Sequence, residues 1–218
     1  EWLSSTQRVL SLDEAVAELG EMPPGAEARD GVVLTFDDGT VDWLEHVLPA
    51  LVRHDVPATF YVATSFIEDR TEFSGQGRPL SWAGLTELAS SPLVTVGSHT
   101  HRHRLLDRLP AQELDDELDR SIELLGSHVD GPIRHFAYPK AVGGSPAADR
   151  AVRNRFESAV VAGTRANVAG TDLFRLHRSP VQRSDGQEWF RRKATGGLRL
   201  EDDARRAANR LRYRGLSS

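Results

Sequence analysis

The sequence contains no cysteine, which excludes a disulfide framework and any metal site built on thiolates. A bound metal would therefore need histidine and carboxylate ligands. No run of about 18 apolar residues is present, so no membrane span is predicted. The first residues, EWLSSTQ, lack the pattern of a signal peptide, and the sequence leaves the cellular compartment open.

Lysine is also scarce, since Lys140 and Lys193 are the only two. The formal net charge of −5 does not favour nucleic acid or an anionic membrane as a partner. The 218 residues are 39% hydrophobic and 27% charged, as is ordinary for a soluble globular domain. We therefore expect a single domain over residues 1–218, and the oligomeric state stays open.

Short apolar runs alternate with segments of helical periodicity along most of the chain. Helix-like segments cover 11–19, 41–53, 81–89, 110–125, 145–156, a stretch from about 186, and 201–214. Predicted strands cover 31–36, 58–64, 93–97, 133–138, 158–163 and 173–181. This alternation predicts an α/β fold of parallel βαβ units, arranged as an open sheet or a barrel.

Local signals support several of these helices. Ser11 and Glu14 have the spacing of a capping box, which predicts a helix start. Pro49 should kink or divide the helix over 41–53, because proline cannot continue the backbone hydrogen bonds. The clearest helix, 110–125, carries Leu114, Leu118, Ile122 and Leu125 on one face.

Two adjacent carboxylates, Asp37 and Asp38, follow the apolar run of the first predicted strand in VVLTFDDGT. Like charges repel each other there, and a metal cation is one way to offset the repulsion. One carboxylate could then bind the metal while the other stays free beside it as a base. The alternative is a plain turn, because Asp-Asp-Gly is a favoured turn composition.

Histidines follow the third predicted strand in SHTHRH. His99 and His103 are four residues apart, so on a helical turn they would project from one side, with His101 pointing elsewhere. With one carboxylate they make a metal-binding set of two histidines and one acid. A solvated polar turn is the alternative. Because the ends of parallel strands share one face, these groups are predicted to converge.

Three motifs resemble those of the polysaccharide deacetylases of the NodB-homology type, carbohydrate esterase family 4. They are TFDDG at 35–39, HTHRH at 99–103 and FAYP at 136–139. The resemblance covers about residues 31–190, in the family's order. It implies an irregular (β/α) barrel of parallel strands with outer helices, and hydrolysis of acetyl groups, most simply N-acetyl, on a carbohydrate.

The resemblance also assigns roles to the motif residues. By it, Asp37 looks like the catalytic base, and Asp38, His99 and His103 look like ligands of one divalent metal, usually zinc. A backbone N–H at Lys140 would face the oxyanion, so the segment Tyr138, Pro139 and Lys140 is expected to bind substrate.

Two departures from the family pattern put other residues forward. Many members carry an arginine that pairs with the base where this chain has Ala137; Arg134, Arg175 or Arg178 could supply the charge, and Arg178 is favoured. In RLHRSP, His177 is the candidate proton donor, although a structural histidine is the alternative. Trp82 is the best candidate for a sugar contact.

Three other functions are alternatives to a polysaccharide deacetylase. A phosphatase of the haloacid dehalogenase type needs a nucleophilic aspartate where this chain has Phe36. A glycan-binding module without turnover would explain the missing arginine at Ala137. A deacetylase of a small acetylated metabolite would show a closed pocket, whereas a polymer needs an open groove.

Overall fold

The structure, a computed structural model, describes residues 1–23, 26, 30–73 and 77–196. The helix predicted over 201–214 lies outside these residues. The expectation of one domain over 1–218 stays a prediction.

Six parallel strands form one sheet in chain order, so each strand pairs with the next along the sequence. All six predicted strands are present, and the predicted α/β class is confirmed. The two shortest have three residues each, fewer than the sequence predicted. The strands are β1 Leu34–Asp38, β2 Ala58–Val62, β3 Val94–Ser98, β4 His135–Ala137, β5 Ser158–Ala162 and β6 Leu176–Arg178.

Eight α-helices connect and flank these strands within the described residues. The predicted helices are present there, whereas two helices of five residues, Trp2–Thr6 and Thr64–Glu68, are not predicted by the sequence. The helices are α1 Trp2–Thr6, α2 Leu12–Glu21, α3 Leu48–His54, α4 Thr64–Glu68, α5 Trp82–Ala89, α6 Ala111–Gly126, α7 Pro146–Arg153 and α8 Gly186–Ala194.

The capping box and the proline that the sequence analysis singles out lie at the starts of helices, as predicted. The Ser11 side chain accepts from the N–H of Glu14, and the Glu14 carboxylate accepts from Ser11, which completes the capping box of α2. Pro49 lies in the first turn of α3, directly after a π-helical turn over Trp43–Val47. The segment predicted over 41–53 is therefore divided by Pro49, because proline is tolerated only in the first turn of a helix.

The sheet curves until its two edge strands approach each other. Arg178 of β6 donates to the Thr35 hydroxyl of β1 at 3.0 Å, although these strands stand at opposite ends of the strand order. Helices cover the outside of the sheet, where the larger hydrophobic core lies. The result is the expected irregular (β/α) barrel, open between β1 and β6.

A small apolar cluster fills the inside of this barrel. It contains Leu12 of α2 together with one residue from each of four strands, namely Tyr61, Ala137, Val160 and Leu176. Helix α2 lies across the N-terminal ends of the strands, since Asp13 accepts a hydrogen bond from His135 at the start of β4 at 2.9 Å. The opposite, C-terminal end is left to carry the polar residues.

A missing side chain makes room for the largest member of this cluster. A Cβ atom at Gly97 would lie 2.6 Å from the ring of Tyr61 and 2.8 Å from the carbonyl oxygen of His135. Glycine is thus required here for close approach, and it allows the Tyr61 ring to lie inside the barrel fully buried.

No helix in the described part of the chain is both long and apolar enough to cross a membrane.

Candidate active site

The two adjacent aspartates lie at the C-terminal end of β1 and point to different neighbours. Asp37 follows Thr35 by two residues, so both side chains share the inner face of the strand, where Arg178 contacts them. Asp38 ends the strand with a φ of 83°, a left-handed conformation that is rare for aspartate and costly outside turns.

The loop after β3 carries His99 and His103, but it is not a helical turn. Thr100 and His103 have left-handed backbone, with φ of 68° and 54°. The two histidines lie side by side as predicted, but a tight irregular loop, and not helical spacing, brings them together. Backbone strain of this kind concentrates at functional sites, where the surrounding structure enforces it.

Asp38, His99 and His103 offer one ligand atom each within 4.8 Å of one another. The Asp38 Oδ1 atom lies 3.6 Å from His99 Nε2 and 3.5 Å from His103 Nε2. Tetrahedral zinc with bonds of about 2.0–2.1 Å would place ligand atoms about 3.3 Å apart. The Asp38 oxygen lies near this distance from each imidazole nitrogen, and two histidines with one carboxylate are a donor set that zinc uses.

Hydrogen bonding prepares His99 for this role. Its Nδ1 donates to the carbonyl oxygen of Ala137 at 2.7 Å, which turns Nε2 toward Asp38. Such a bond from the far nitrogen is the usual way in which a protein orients a histidine ligand. Burial and the neighbouring His99 lower the pKa of His103 to about 4, so its ring is neutral, as a ligand must be.

Arg178 holds the carboxylate of Asp37 with two hydrogen bonds. Its guanidinium donates to Oδ1 at 2.6 Å and to Oδ2 at 2.5 Å. Burial opposes the charged form of Asp37, but the neighbouring His99 ring and the Arg178 guanidinium, with its hydrogen bonds, outweigh it and lower the pKa of Asp37. Burial raises the pKa of Asp38. The two neighbouring carboxyl groups therefore lie in different electrostatic environments.

His177, the sequence-based candidate for the proton donor, lies beside Arg178 on β6. Consecutive strand residues point to opposite faces, and the His177 ring packs where a Cβ of Gly163 would meet it, at 2.7 Å. Its backbone N–H and carbonyl are bonded to the side chain of Asn167. The structure does not bring His177 to the face on which Arg178 meets Asp37, and its role as a donor stays a prediction.

The segment after β4 that is expected to bind substrate is exposed at Lys140 and buried at Tyr138 and Pro139. Lys140 is exposed and, like Ala141, has left-handed backbone, with φ of 54° and 56°. The Tyr138 ring, by contrast, is 1% exposed and packs edge-on against Phe136. Tyr138 and the buried Pro139 can therefore shape the segment, but the Tyr138 side chain does not face a ligand.

Trp82 lies at the start of α5 and stacks face to face on His128, with ring centroids 4.4 Å apart. One face of the indole is thus covered by the protein. An aromatic ring that does lie beside the candidate metal ligands is Phe66, whose centroid is 6.1 Å from that of His103. The sequence holds no sign of this, because Phe66 comes from the unpredicted helix α4.

The sequence motifs also do not include Glu117, which is buried in α6 and bonded to the histidine loop. Its position in the helix pattern does, however, indicate that it is unusual. Glu117 falls three residues after Leu114, on the face of the helix that otherwise carries the apolar residues. A charged residue at a core position of an amphipathic helix indicates a specific partner.

A family model for polysaccharide deacetylases matches residues 25–158 of the sequence. The chain belongs to the polysaccharide deacetylase family. This match covers the candidate base Asp37, the three candidate metal ligands and the segment after β4. Membership supports hydrolysis of acetyl groups on a carbohydrate, although it does not identify the metal or the sugar. No curated protein matches the sequence at a significant level.

Solved structures of deacetylases share this fold. The deacetylase PplD of Streptococcus pyogenes is 21% identical with a TM-score of 0.73, over 88% of this chain and 82% of that one. IcaB from Ammonifex degensii is 24% identical with a TM-score of 0.72, over 87% and 82%. At these identities the likeness establishes the fold alone, and it confirms the expected (β/α) barrel.

A mutant of BA3943, a carbohydrate esterase family 4 pseudoenzyme with restored activity, is also similar in structure. It is 17% identical with a TM-score of 0.54, and the match covers 67% of this polysaccharide deacetylase chain and 52% of that one. The shared fold thus accommodates both active and inactive proteins, so activity has to be argued from the residues of the site.

Proposed function

We propose that this chain is a metal-dependent hydrolase that removes N-acetyl groups from a carbohydrate polymer, with zinc as the metal. One observation carries the proposal. The carboxylate of Asp37, which Arg178 holds with two hydrogen bonds, lies directly beside the triad of Asp38, His99 and His103. A base next to a metal-binding triad is the arrangement that amide hydrolysis by water needs.

A divalent metal held by Asp38, His99 and His103 would supply Lewis acidity, lowering the pKa of water and polarising the acetyl carbonyl. Asp37 takes the proton of the attacking water. Arg178 keeps Asp37 charged and turned toward the site, since both carboxylate oxygens are bonded to it. The Ala137 carbonyl keeps His99 in the tautomer whose Nε2 faces the triad.

The tetrahedral intermediate needs a hydrogen-bond donor for its oxyanion, and its collapse needs an acid that protonates the leaving amine. The backbone N–H at Lys140 is the proposed donor, supported by the left-handed turn that exposes this segment after β4. One such donor is typically worth about 3 kcal/mol in the transition state. The acid is less well supported, because His177 lies on the other face of β6. Asp37, protonated in the first step, can return its proton to the leaving amine.

The contact between Arg178 and Asp37 favours a hydrolase over a binding module that has lost turnover. The argument for the module was the missing arginine at Ala137. An arginine arriving from β6 makes the same kind of pairing, so the feature that favoured an inactive protein is compensated. A small acetylated metabolite remains the alternative substrate, and a screen of both substrate classes distinguishes it from a polymer.

The experiment measures zinc before activity, because the substrate is not identified. Purified protein is stripped with a chelator and titrated with zinc, beside Asp38→Ala and His99→Ala. We expect one tight site per chain that both substitutions abolish. Asp37→Asn should keep the zinc and lose turnover on the best substrate from a screen of acetylated glycans and acetylated metabolites. Zinc binding that survives both alanine substitutions would refute the proposed site.

A further inference from the structure

Glu117 is a carboxylate buried on the core face of α6. Its side chain is 1% exposed, and it lies between Leu114 and Leu118, both of which pack in the main hydrophobic core. Burying a carboxylate costs several kcal/mol of hydration free energy unless partners replace the water. The partners of Glu117 therefore indicate what the residue is for.

Those partners are consecutive peptide groups of the loop that carries the two histidines. Glu117 Oε2 accepts the backbone N–H of Arg102 at 2.7 Å. The backbone carbonyl of Glu117 accepts the N–H of His101 at 3.0 Å. One turn of a rigid helix thus holds the loop at its centre, between His99 and His103.

The ion pair between Glu117 and Arg102 is long and open to solvent on the arginine side, so it does not account for the burial of the carboxylate. The Arg102 guanidinium lies 3.6 Å from Glu117 Oε1, beyond hydrogen-bonding distance, and its side chain is 59% exposed. Within the described residues, Oε1 has no hydrogen-bond partner. The bond to the Arg102 N–H is consequently the main interaction that the buried side chain makes.

Bonds to α4 and to other neighbouring elements hold the loop, because within the described residues no hydrogen bond joins two backbone groups of 99–103. Its first histidine is anchored to the sheet, where the His99 N–H donates to the carbonyl of Val62 at 2.9 Å. Its second, His103, has left-handed backbone, like Thr100 three residues earlier, and its side chain is 22% exposed. The N–H bonded to Glu117 belongs to Arg102, the residue directly before His103.

We propose that Glu117 is a positioning residue that fixes His103 relative to His99 and Asp38 and so sets the metal affinity of the site. Glu117 touches neither the metal ligands nor a substrate; it acts through the backbone at Arg102. This inference rests on the proposed metal site, and it adds to that site a support from α6 that the sequence motifs do not contain.

Glu117→Leu and Glu117→Gln form the test pair. Leucine fills the space on an otherwise apolar helix face, so the protein should fold, but it cannot accept the Arg102 N–H. Glutamine keeps one acceptor oxygen in nearly the same place. We expect Glu117→Leu to weaken zinc binding by about 10–100-fold, as outer partners of ligands typically do. Glu117→Gln should restore affinity to near the wild-type value.

Two controls separate positioning from general destabilisation. Leu125→Ala creates a cavity further along α6, away from the loop, and should leave zinc affinity unchanged at a temperature well below its melting point. Arg102→Ala removes the guanidinium but keeps the backbone N–H, and it should also bind zinc like the wild type. All affinities are measured by competition with a chelating dye, beside melting curves of the zinc-free proteins.

The outcomes are distinguishable from a failure of the proposed function. A wild-type protein that binds no zinc would overturn the metal site itself. A wild type that binds tightly, with Glu117→Leu equally tight, would overturn only the positioning role. Equal losses in Glu117→Leu and Glu117→Gln, or a loss in Arg102→Ala, would show that charge and not the backbone bond matters, and would also refute the inference.

Discussion

The guanidinium of Arg178 donates hydrogen bonds to both carboxylate oxygens of Asp37 across the gap between the last and the first strand of the barrel. The two residues are 141 positions apart in sequence. The same side chain bonds Thr35 at 3.0 Å and lies over the ring of Tyr61, 5.4 Å from its centroid. The pairing depends on the small residues at positions 97 and 137, because Gly97 leaves room for the Tyr61 ring and Ala137 lies beside it.

Replacing Arg178 should therefore impair turnover without removing the metal. In Arg178→Gln the base loses its orienting bonds and the charge that lowers its pKa, and we expect kcat/KM to fall by about 100-fold or more. Zinc affinity, measured by titration, should be retained. Arg175→Gln is the control, since Arg175 bonds Asp149 at 3.2 Å instead. Equal activity of the two variants would contradict the role of Arg178.

Adding a methyl group at Gly97 should destabilise the barrel. A Cβ there would approach the Tyr61 ring to 2.6 Å and a backbone oxygen to 2.8 Å, so the interior would have to shift. Overpacking of this kind costs about 1–3 kcal/mol, to be read from urea unfolding of Gly97→Ala. The control, Gly126→Ala, adds a methyl with no atom within 4 Å. A Gly97→Ala protein as stable as the wild type would show that the interior has slack.

The free energy of unfolding should fall as the pH drops below about 6.5. Burial lowers the pKa of His135 from its ordinary value of 6.5, so the unfolded chain takes up the proton first. The pKa values of His101 and His103 are lowered too, and they act in the same direction. Urea unfolding between about pH 7.5 and about pH 5.5 measures the slope.

His135→Gln tests the share of that slope that belongs to His135. The variant loses the bonds to Asp13 and Ser158 and should be less stable at every pH. Its stability should nevertheless depend less steeply on pH than that of the wild type. An unchanged slope would mean that His135 contributes nothing to the pH dependence.

Removal of the Ser11 hydroxyl should lower stability modestly. Ser11 caps α2, the helix that lies across the N-terminal end of the barrel, and its oxygen accepts the N–H of Glu14 at 3.2 Å. Ser11→Ala should cost about 1 kcal/mol in urea unfolding. Ser4→Ala in α1, which loses only an exposed bond to the Glu1 carbonyl, should change stability by much less.

Local chemistry explains where the sequence was informative. The capping box at Ser11, the proline that divides 41–53 and the alternation of strands with helices are set within a few residues. The strand-end residues Asp37, Asp38, His99 and His103 could be brought together in advance because parallel strands share one face. The structure places them there, while their catalytic and metal-binding roles stay predictions.

Contacts between distant segments explain where the sequence was misleading. Helical spacing was the wrong reason for pairing His99 with His103, since the loop is held by bonds to α6 that sequence spacing cannot show. Tyr138, directly after β4, belongs to the core because its ring packs against Phe136 within the main hydrophobic core. His177 and Arg178 are neighbours in sequence, yet strand alternation sends them to opposite faces.

The sequence by itself determined the α/β class, the family motifs and the set of residues able to bind a metal, because these depend on residue type and on periodicity along the chain. Only the tertiary structure decided which arginine meets Asp37, which aromatic ring lies beside His103 and what supports the histidine loop. Those choices depend on how far the sheet curves and how α6 packs against it. Both properties arise from contacts between residues far apart in the chain, and no local pattern records them.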